Sequence, residues 1–281
     1  MVRRKYKDLK NAYSEQEKQE QIKRICVYML KTFAKVCDEH ELTWWIDGGT
    51  LLGAVRDGKM IPWDDDIDVV MPREDYDKLC TLATQNVNLF DKYFFQISST
   101  DNNFEVHAKL RNPNTCALTK REYKGCHNKG MFLDIFPLDN CPMDKDIKND
   151  VAGFVRTFVK HSGVERNDKP SANFNTFNRI LRMIHEQNAN SAYVANIAFW
   201  RYDKKLTKLK KSWYASTRYI VFEDMLVPAP IGMTEILKTW YGNSWPTPTH
   251  EPNCHIAYVD PFNSYKRYND VTDEEFEYLV K

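Results

Sequence analysis

The chain has 281 residues, 42% of them hydrophobic, enough apolar material for one large domain or two modest ones without crosslinks. Its 40 Lys and Arg against 39 Asp and Glu leave a formal charge of +1, which excludes a global electrostatic attraction for nucleic acid or for an acidic partner. The 7 cysteines are odd in number and scattered with no CxxC pair, so neither a disulfide framework nor a zinc knuckle is indicated and a reducing, cytosolic compartment is expected.

The opening MVRRKYKDLKNAYSEQEKQEQIKR is too polar for a secretory signal, so export is not expected. The longest nearly uncharged run, Asn188 to Trp200, is far shorter than the ~20 apolar residues of a membrane span and contains Asn188, Asn190 and Asn196. The expectation is a protein that is soluble or peripheral.

In chain order, Ser14 and Glu17 form a capping box ahead of Ile22, Ile25, Met29, Phe33, Val36 and Cys37. Their three- and four-residue spacing predicts an amphipathic helix to about His40. Thr43 to Ile46 is a β-branched and aromatic strand ending at Gly48-Gly49, where two residues without Cβ permit a tight turn and close backbone approach to a ligand. Ile67 to Met71 is a second strand stopped by Pro72, and Arg73 to about Ala83 is helical. Strands are predicted at Phe94 to Ser98, Val106 to Leu110, Thr115 to Leu118 and Met131 to Phe136, the last carrying Asp134 in an otherwise apolar run.

The second half changes character. Val151 to His161 and Thr176 to His185 read as helices, Asn188 to Lys211 as an apolar segment running into a basic one, and Tyr219 to Leu226 as a strand. Trp245 to Asp260, with its repeated prolines, reads as irregular. A soft boundary near Asp144 separates a core over 1–143 from a mainly helical region over 144–281.

The chemistry concentrates in Ile46 to Met71, IDGGTLLGAVRDGKMIPWDDDIDVVM. Asp64, Asp65, Asp66 and Asp68 repel one another, which is costly in a folded state unless a cation sits among them. A solvated loop or a calcium-stabilised turn is the bland alternative, but the alternation with Ile67 and Val69 describes a half-buried strand. Asp66 and Asp68 flank Ile67, so both carboxylates leave the strand on one face. With Asp134 as third carboxylate and Asp64 beside them, they make an all-oxygen set that favours Mg²⁺ or Mn²⁺ over Zn²⁺. Backbone N–H groups around Gly48, Gly49 and Thr50 can cradle phosphate oxygens. Arg56, Lys109 and Arg111 are candidate phosphate contacts, although alternating basic residues on a strand equally describe its wet face. The 7 histidines show no ligand spacing and read as structural.

The same stretch resembles the signature of the LicD family, a branch of the nucleotidyltransferase superfamily. That branch includes the fukutin-type proteins and bacterial phosphocholine transferases that decorate cell-surface glycans. KLRNPNT at Lys109 to Thr115, MFLDIFPLD at Met131 to Asp139, and Phe222 to Pro246 with its VPAPIGMTEILKTWYGNSWP resemble further family segments. Two features depart from the pattern: Asp57 follows Arg56 where family members commonly carry histidine, and Asn188 to Lys211 matches nothing assignable.

The resemblance implies an α/β (α+β) nucleotidyltransferase-like fold, a mixed sheet flanked by helices. It also implies Mg²⁺-dependent transfer of phosphocholine from CDP-choline to a hydroxyl of a cell-surface glycan or its lipid-linked precursor. Asp134 is then the residue expected to take the proton of the attacking hydroxyl. The same fold could instead move a nucleotidyl, glycerol-phosphate or ribitol-phosphate unit, or persist as an inert glycan- or nucleotide-binding module. A choline cargo calls for an aromatic cage, for which Trp44, Trp45, Trp63, Trp213, Trp240, Tyr241 and Trp245 are available. Lys204, Lys205, Lys208, Lys210 and Lys211 suit either anionic headgroups at the inner membrane surface or an ordinary charged helix face.

Overall fold

The computed structural model describes residues 2–281 except 98, 102–105, 121, 126, 162–169, 202–206 and 249–255. After a short helix α1 (Arg4–Lys10), Ser14 caps the long helix α2 (Glu15–Glu39). The Ser14 hydroxyl accepts from the Glu17 N–H at 3.2 Å, and the Glu17 carboxylate accepts from the Ser14 N–H at 2.8 Å. The predicted stripe, Ile22 through Cys37, is the buried face of α2.

Strand β1 (Trp45–Ile46) leads into helix α3 (Gly48–Asp57), which closes on Gly58 in the left-handed region at φ +66°. Strand β2 (Ile67–Pro72) runs directly into helix α4 (Arg73–Gln85). Then come β3 (Phe94–Gln96), β4 (Ala108–Asn112), β5 (Cys116–Leu118) and β6 (Met131–Asn140). The main sheet has the order β1-β2-β6-β4-β3, with β2 and β6 parallel and the other neighbours antiparallel. Helices α2 and α4 pack on β6. This is the mixed α/β architecture the sequence predicts.

Helices α5 (Lys145–His161) and α6 (Pro170–Gln187) follow. Among the described residues of Asn188 to Lys211, two short strands flank a 3-10 turn, Ile197–Arg201. Strand β7 (Tyr193–Ala195) pairs with the end of β6 and with β8 (Leu209–Lys210), joining the main sheet. The predicted strand over Tyr219 to Leu226 is a hairpin, β9 (Thr217–Phe222) and β10 (Met225–Pro230). Its turn lacks glycine: Glu223 adopts φ +55° because its carboxylate is tied to the Met60 N–H at 2.9 Å and to Lys23 at 2.7 Å. Helix α7 (Met233–Tyr241) packs on α3.

Within the stretch read as irregular, β11 (Tyr258–Asp260) pairs with β5. The last helix, α8 (Asp273–Val280), carries a capping box of its own through Thr272 and Glu275. It packs with α1, β5 and β11 around Tyr6, Leu118, Tyr258, Tyr268 and Phe276, a second and smaller apolar cluster. Cys26, Cys37, Cys80, Cys116 and Cys141 are free thiols, and Cys126 and Cys254 lie outside the described residues. Among the described residues, no helix is long and apolar enough to cross a membrane.

Strand β6 runs past its predicted end at Phe136 to Asn140. Asp139, fully buried there, accepts from Arg73 Nε and Nη2 at 2.6 and 2.7 Å. This fork pins the end of β6 to the start of α4, so the strand's exit and the helix's entry move as one. Burial opposes ionisation of Asp139, but Arg73 and the neighbouring His185 outweigh it and hold the carboxyl below its ordinary 3.8. Arg73→Met removes the main partner of that buried charge and is expected to cost about 3–5 kcal/mol in urea unfolding. Because the folded pKa is depressed, the pair's contribution is full above the unfolded value of 3.8 and is lost as pH falls through the lower folded value. Urea midpoints from roughly pH 5 to pH 2 should therefore fall less steeply in Asp139→Asn than in wild type.

Candidate active site

Register assembles the site. Across three adjacent strands Asp68 of β2 stands opposite Asp134 of β6, and Lys109 of β4 stands opposite Asp134 from the other side. Ile67 points into the core while Asp66 and Asp68 leave β2 on the other face, as period-2 geometry requires. Oxygens of Asp66, Asp68 and Asp134 lie within 4.8 Å of one another, and those of Asp64, Asp65 and Asp66 converge in the same way, so Asp66 belongs to both trios.

The charges answer this crowding differently. Burial, then repulsion from Asp68 and from Asp64, Asp65 and Asp134, pushes Asp66 well above the usual carboxylate range. Burial followed by Asp134 and Asp64 does the same to Asp68. Burial raises Asp64 to about 6 and Asp65 to about 7. Asp134 goes the other way: burial is outweighed by Lys109, whose Nζ donates at 2.6 Å, and by His107, whose Nε2 lies at 3.2 Å. A carboxylate held as an anion in this way suits a metal ligand.

Gly48 and Gly49 are not an isolated turn. They open α3, Gly48 at φ +52°, and their missing side chains make room for carboxylates. A Cβ on Gly48 would run into the Asp68 carboxylate, and one on Gly49 would stand 2.8 Å from Asp64 Oδ2. The Thr50 hydroxyl accepts from the Asp68 N–H at 3.0 Å, and the Asp47 N–H donates to the Asp68 carbonyl at 2.9 Å, so the start of α3 is clamped to β2. The positive end of the helix therefore faces the acidic cluster.

The three candidate cations part company. Lys109 joins the cluster, with the Phe132 ring 3.9 Å from its ammonium. Arg111, fully buried two residues further along β4, donates to Gln96, to the Gly130 carbonyl and to Glu122, the last two at 3.1 Å. Arg56 pairs with Asp57 at 2.8 Å, so the residue that departs from the family pattern is the one that holds the arginine. Of the aromatic candidates, Trp44 and Trp45 are core residues and Trp213 packs against Gly232. Trp240, partly buried, packs on the core and meets Tyr241 edge to face. Tyr241 feels the charges of Asp68, Asp47 and Asp64. Lys208 bonds the Met143 carbonyl and Lys211 bonds Asn140, while Lys204 and Lys205 lie outside the described residues.

Sequence reasoning passed over two neighbours of the cluster. Asp47 stands beside the glycine pair, buried, and is pushed up to about 8 by burial. His107 precedes Lys109 by two residues, the period that puts both on one strand face, and that spacing is the signal that could have found it.

The donor set fits a hard divalent cation. It is all oxygen, it converges, and its like charges are compensated at Asp134 by Lys109 and His107. A surface groove of about 690 Å³ lies elsewhere, at the start of α8, where Arg3–Glu275 and Lys124–Asp273 ion pairs line it.

Residues 41–151 match the family model described as LicD/FKTN/FKRP, nucleotidyltransferase domain. Over 123 residues the chain is 29% identical to the lipopolysaccharide cholinephosphotransferase LicD of Haemophilus influenzae, covering 44% of this chain and 45% of that protein. A 54-residue stretch is 41% identical to an uncharacterized protein of Rickettsia prowazekii, covering 19% of this chain and 20% of that one. A 78-residue stretch is 31% identical to mannosyltransferase regulator 4 of Saccharomyces cerevisiae, covering 26% of this chain and 7% of that protein. The chain thus spans less than half the length of each of these relatives.

Neutralising one member of the repelling set should stabilise the metal-free protein. Asp68→Asn is expected to raise the thermal midpoint by roughly 2–8 °C, about 1–2 kcal/mol, and to lose the further rise that MgCl₂ gives wild type. A lowered midpoint without metal would show that the carboxylates are held by attraction rather than crowded together.

Proposed function

From a chain whose residues 41–151 belong to the nucleotidyltransferase domain of the LicD family, we propose a Mg²⁺-dependent phosphotransferase. It moves phosphocholine from CDP-choline to a hydroxyl of a cell-surface glycan or its lipid-linked precursor. The observation that carries this reading is the convergence of Asp66, Asp68 and Asp134 within 4.8 Å on neighbouring parallel strands. Phosphoryl transfer asks little covalent chemistry of a protein and much positioning and charge compensation. The phosphocholine cargo is supported by the likeness to the Haemophilus lipopolysaccharide cholinephosphotransferase.

Asp66, Asp68 and Asp134 would hold the ion, with Asp64 at its side, and Mn²⁺ would suit the same oxygens. When bound, the ion supplies charge neutralisation to the phosphate oxygens of the donor. The chain's own residues prepare for that. Lys109 keeps Asp134 anionic and oriented, and Gly48 and Gly49 leave the space in which Asp68 and Asp64 face the cluster. Thr50 fixes the start of β2 against α3. A lipid-linked acceptor would bring the enzyme to the membrane surface. The yeast relative is named as a regulator, which keeps an inert binding module in view, but such a module has no use for three mutually repelling carboxylates.

Phosphorus NMR on the protein with CDP-choline, CDP-glycerol and CDP-ribitol tests the reading. Mg²⁺-dependent consumption of CDP-choline is expected, with Asp66→Asn slower by ~100-fold or more, since a lost metal ligand forfeits several kcal/mol of transition-state stabilisation. Consumption of CDP-ribitol alone would replace the cargo. Equal activity in Asp66→Asn would overturn the enzyme reading.

A further inference from the structure

The sheet face that carries the carboxylates continues along β6 into aromatic side chains. Asp134 and Phe136 leave β6 on the same side, as alternate strand residues do, about 6.5 Å apart along the strand. His107 meets both: its Nε2 lies 3.2 Å from Asp134 Oδ1, and its ring centroid lies 4.5 Å from that of Phe136. A third ring arrives from the other half of the chain. Phe199, on the 3-10 turn Ile197–Arg201, meets Phe136 edge to face at 5.0 Å and 87° and lies 5.7 Å from His107.

Phe136 is the only residue of β6 that is not buried, and Phe199 is likewise partly open. A phenylalanine in the middle of a central strand, beside the carboxylate trio, thus forgoes the burial that its neighbours along the strand have. Its ring and that of Phe199 stand at right angles, as two walls of a corner. Lys109 does not fill that place, since its ammonium lies against Asp134 and over the Phe132 ring.

Aromatic faces attract a cation whose charge is spread over methyl groups more than they attract a neutral group of the same shape. The neighbouring carboxylates favour positive charge as well. A phosphate and an ammonium joined by two carbons span a distance of the order that separates alternate strand residues, about 6.5 Å. Resting on the phosphotransferase reading, we propose that Phe136 and Phe199, backed by His107, bind the quaternary ammonium of the donor while its phosphate lies at the trio. Phe199 belongs to the Asn188 to Lys211 stretch, which matches no family segment, so this wall of the subsite is the chain's own. The core positions of Trp44 and Trp45 leave the role to phenylalanines.

Calorimetry on the full chain with Mg²⁺ compares CDP-choline with the CDP ester of 3,3-dimethylbutanol, in which carbon replaces the nitrogen, and with CDP. Wild type is expected to bind CDP-choline about fivefold or more tighter than the neutral ester. Phe136→Leu and Phe199→Leu keep apolar volume and remove a ring face, so each should bring that ratio towards one while CDP affinity stays level. A structural role alone would weaken all three ligands together. Phe199 lies on a turn outside the main sheet, so its variant carries the test if thermal melting shows Phe136→Leu unfolded. No binding of CDP-choline by wild type, equal binding of CDP-choline and the neutral ester, a preference kept in both variants, or parallel loss of all three ligands in both overturns the subsite. Phosphorus NMR separates the two readings. If CDP-choline binds through these rings yet is never consumed, the phosphotransferase reading fails and the subsite stands; if it is consumed while both variants keep the preference, the subsite falls and the reading stands.

Discussion

Electrostatic repulsion among carboxylates at and just before the start of one short strand is the constraint around which the described structure is arranged. Asp64, Asp65, Asp66 and Asp68 lie within five residues of one another, and parallel pairing of β2 with β6 brings Asp134 to the same place. Left in a low-dielectric interior without compensation, such a set would protonate or unfold the strand that carries it. The protein supplies part of the compensation. The start of α3 faces the cluster, and Lys109 neutralises Asp134. The remaining carboxylates are raised above their ordinary range, the state of a site prepared for a cation.

Rigid support for this crowding comes from pairs that never touch it. Arg73 and Asp139 lock the far end of β6 to α4, and Arg111 ties β3, β4 and the loop before β6 together. Buried ion pairs of this kind add little net stability over apolar packing, but they make one register strongly preferred, because any slip leaves a charge unpaired. Register matters here more than usual, since a shift of one residue would turn Asp66 and Asp68 into the core and Ile67 into the site. In this sense the salt bridges serve the geometry of the carboxylates, and function depends on packing several residues distant.

Much of this was legible before any coordinates. The Ser14–Glu17 capping box and the stripe behind it named α2 within a residue, because caps and 3.6-residue periodicity are local. The alternation around Ile67 named β2 and the shared direction of its two aspartates for the same reason. The hairpin was read as one strand because its turn has no glycine or asparagine, and Glu223 takes a left-handed conformation through contacts with Lys23 and Met60 from distant elements. The glycine pair was recognised as special, and the structure adds that its missing side chains make room for the protein's own carboxylates.

By itself the sequence determined the type of the long elements, the acidic face of β2 and an all-oxygen donor set, since each follows from residue type and spacing along the chain. Lys109 and Arg111, by contrast, are the same signal two residues apart. Only tertiary structure decided that Lys109 meets Asp134 while Arg111 meets Gln96 and Glu122, because β4 pairs with β6 at one register. The same holds for Asp47 and His107, which become neighbours of the cluster through strand pairing that no local pattern encodes. Spacing along a chain dictates which way a side chain points, and long-range pairing dictates what it finds there.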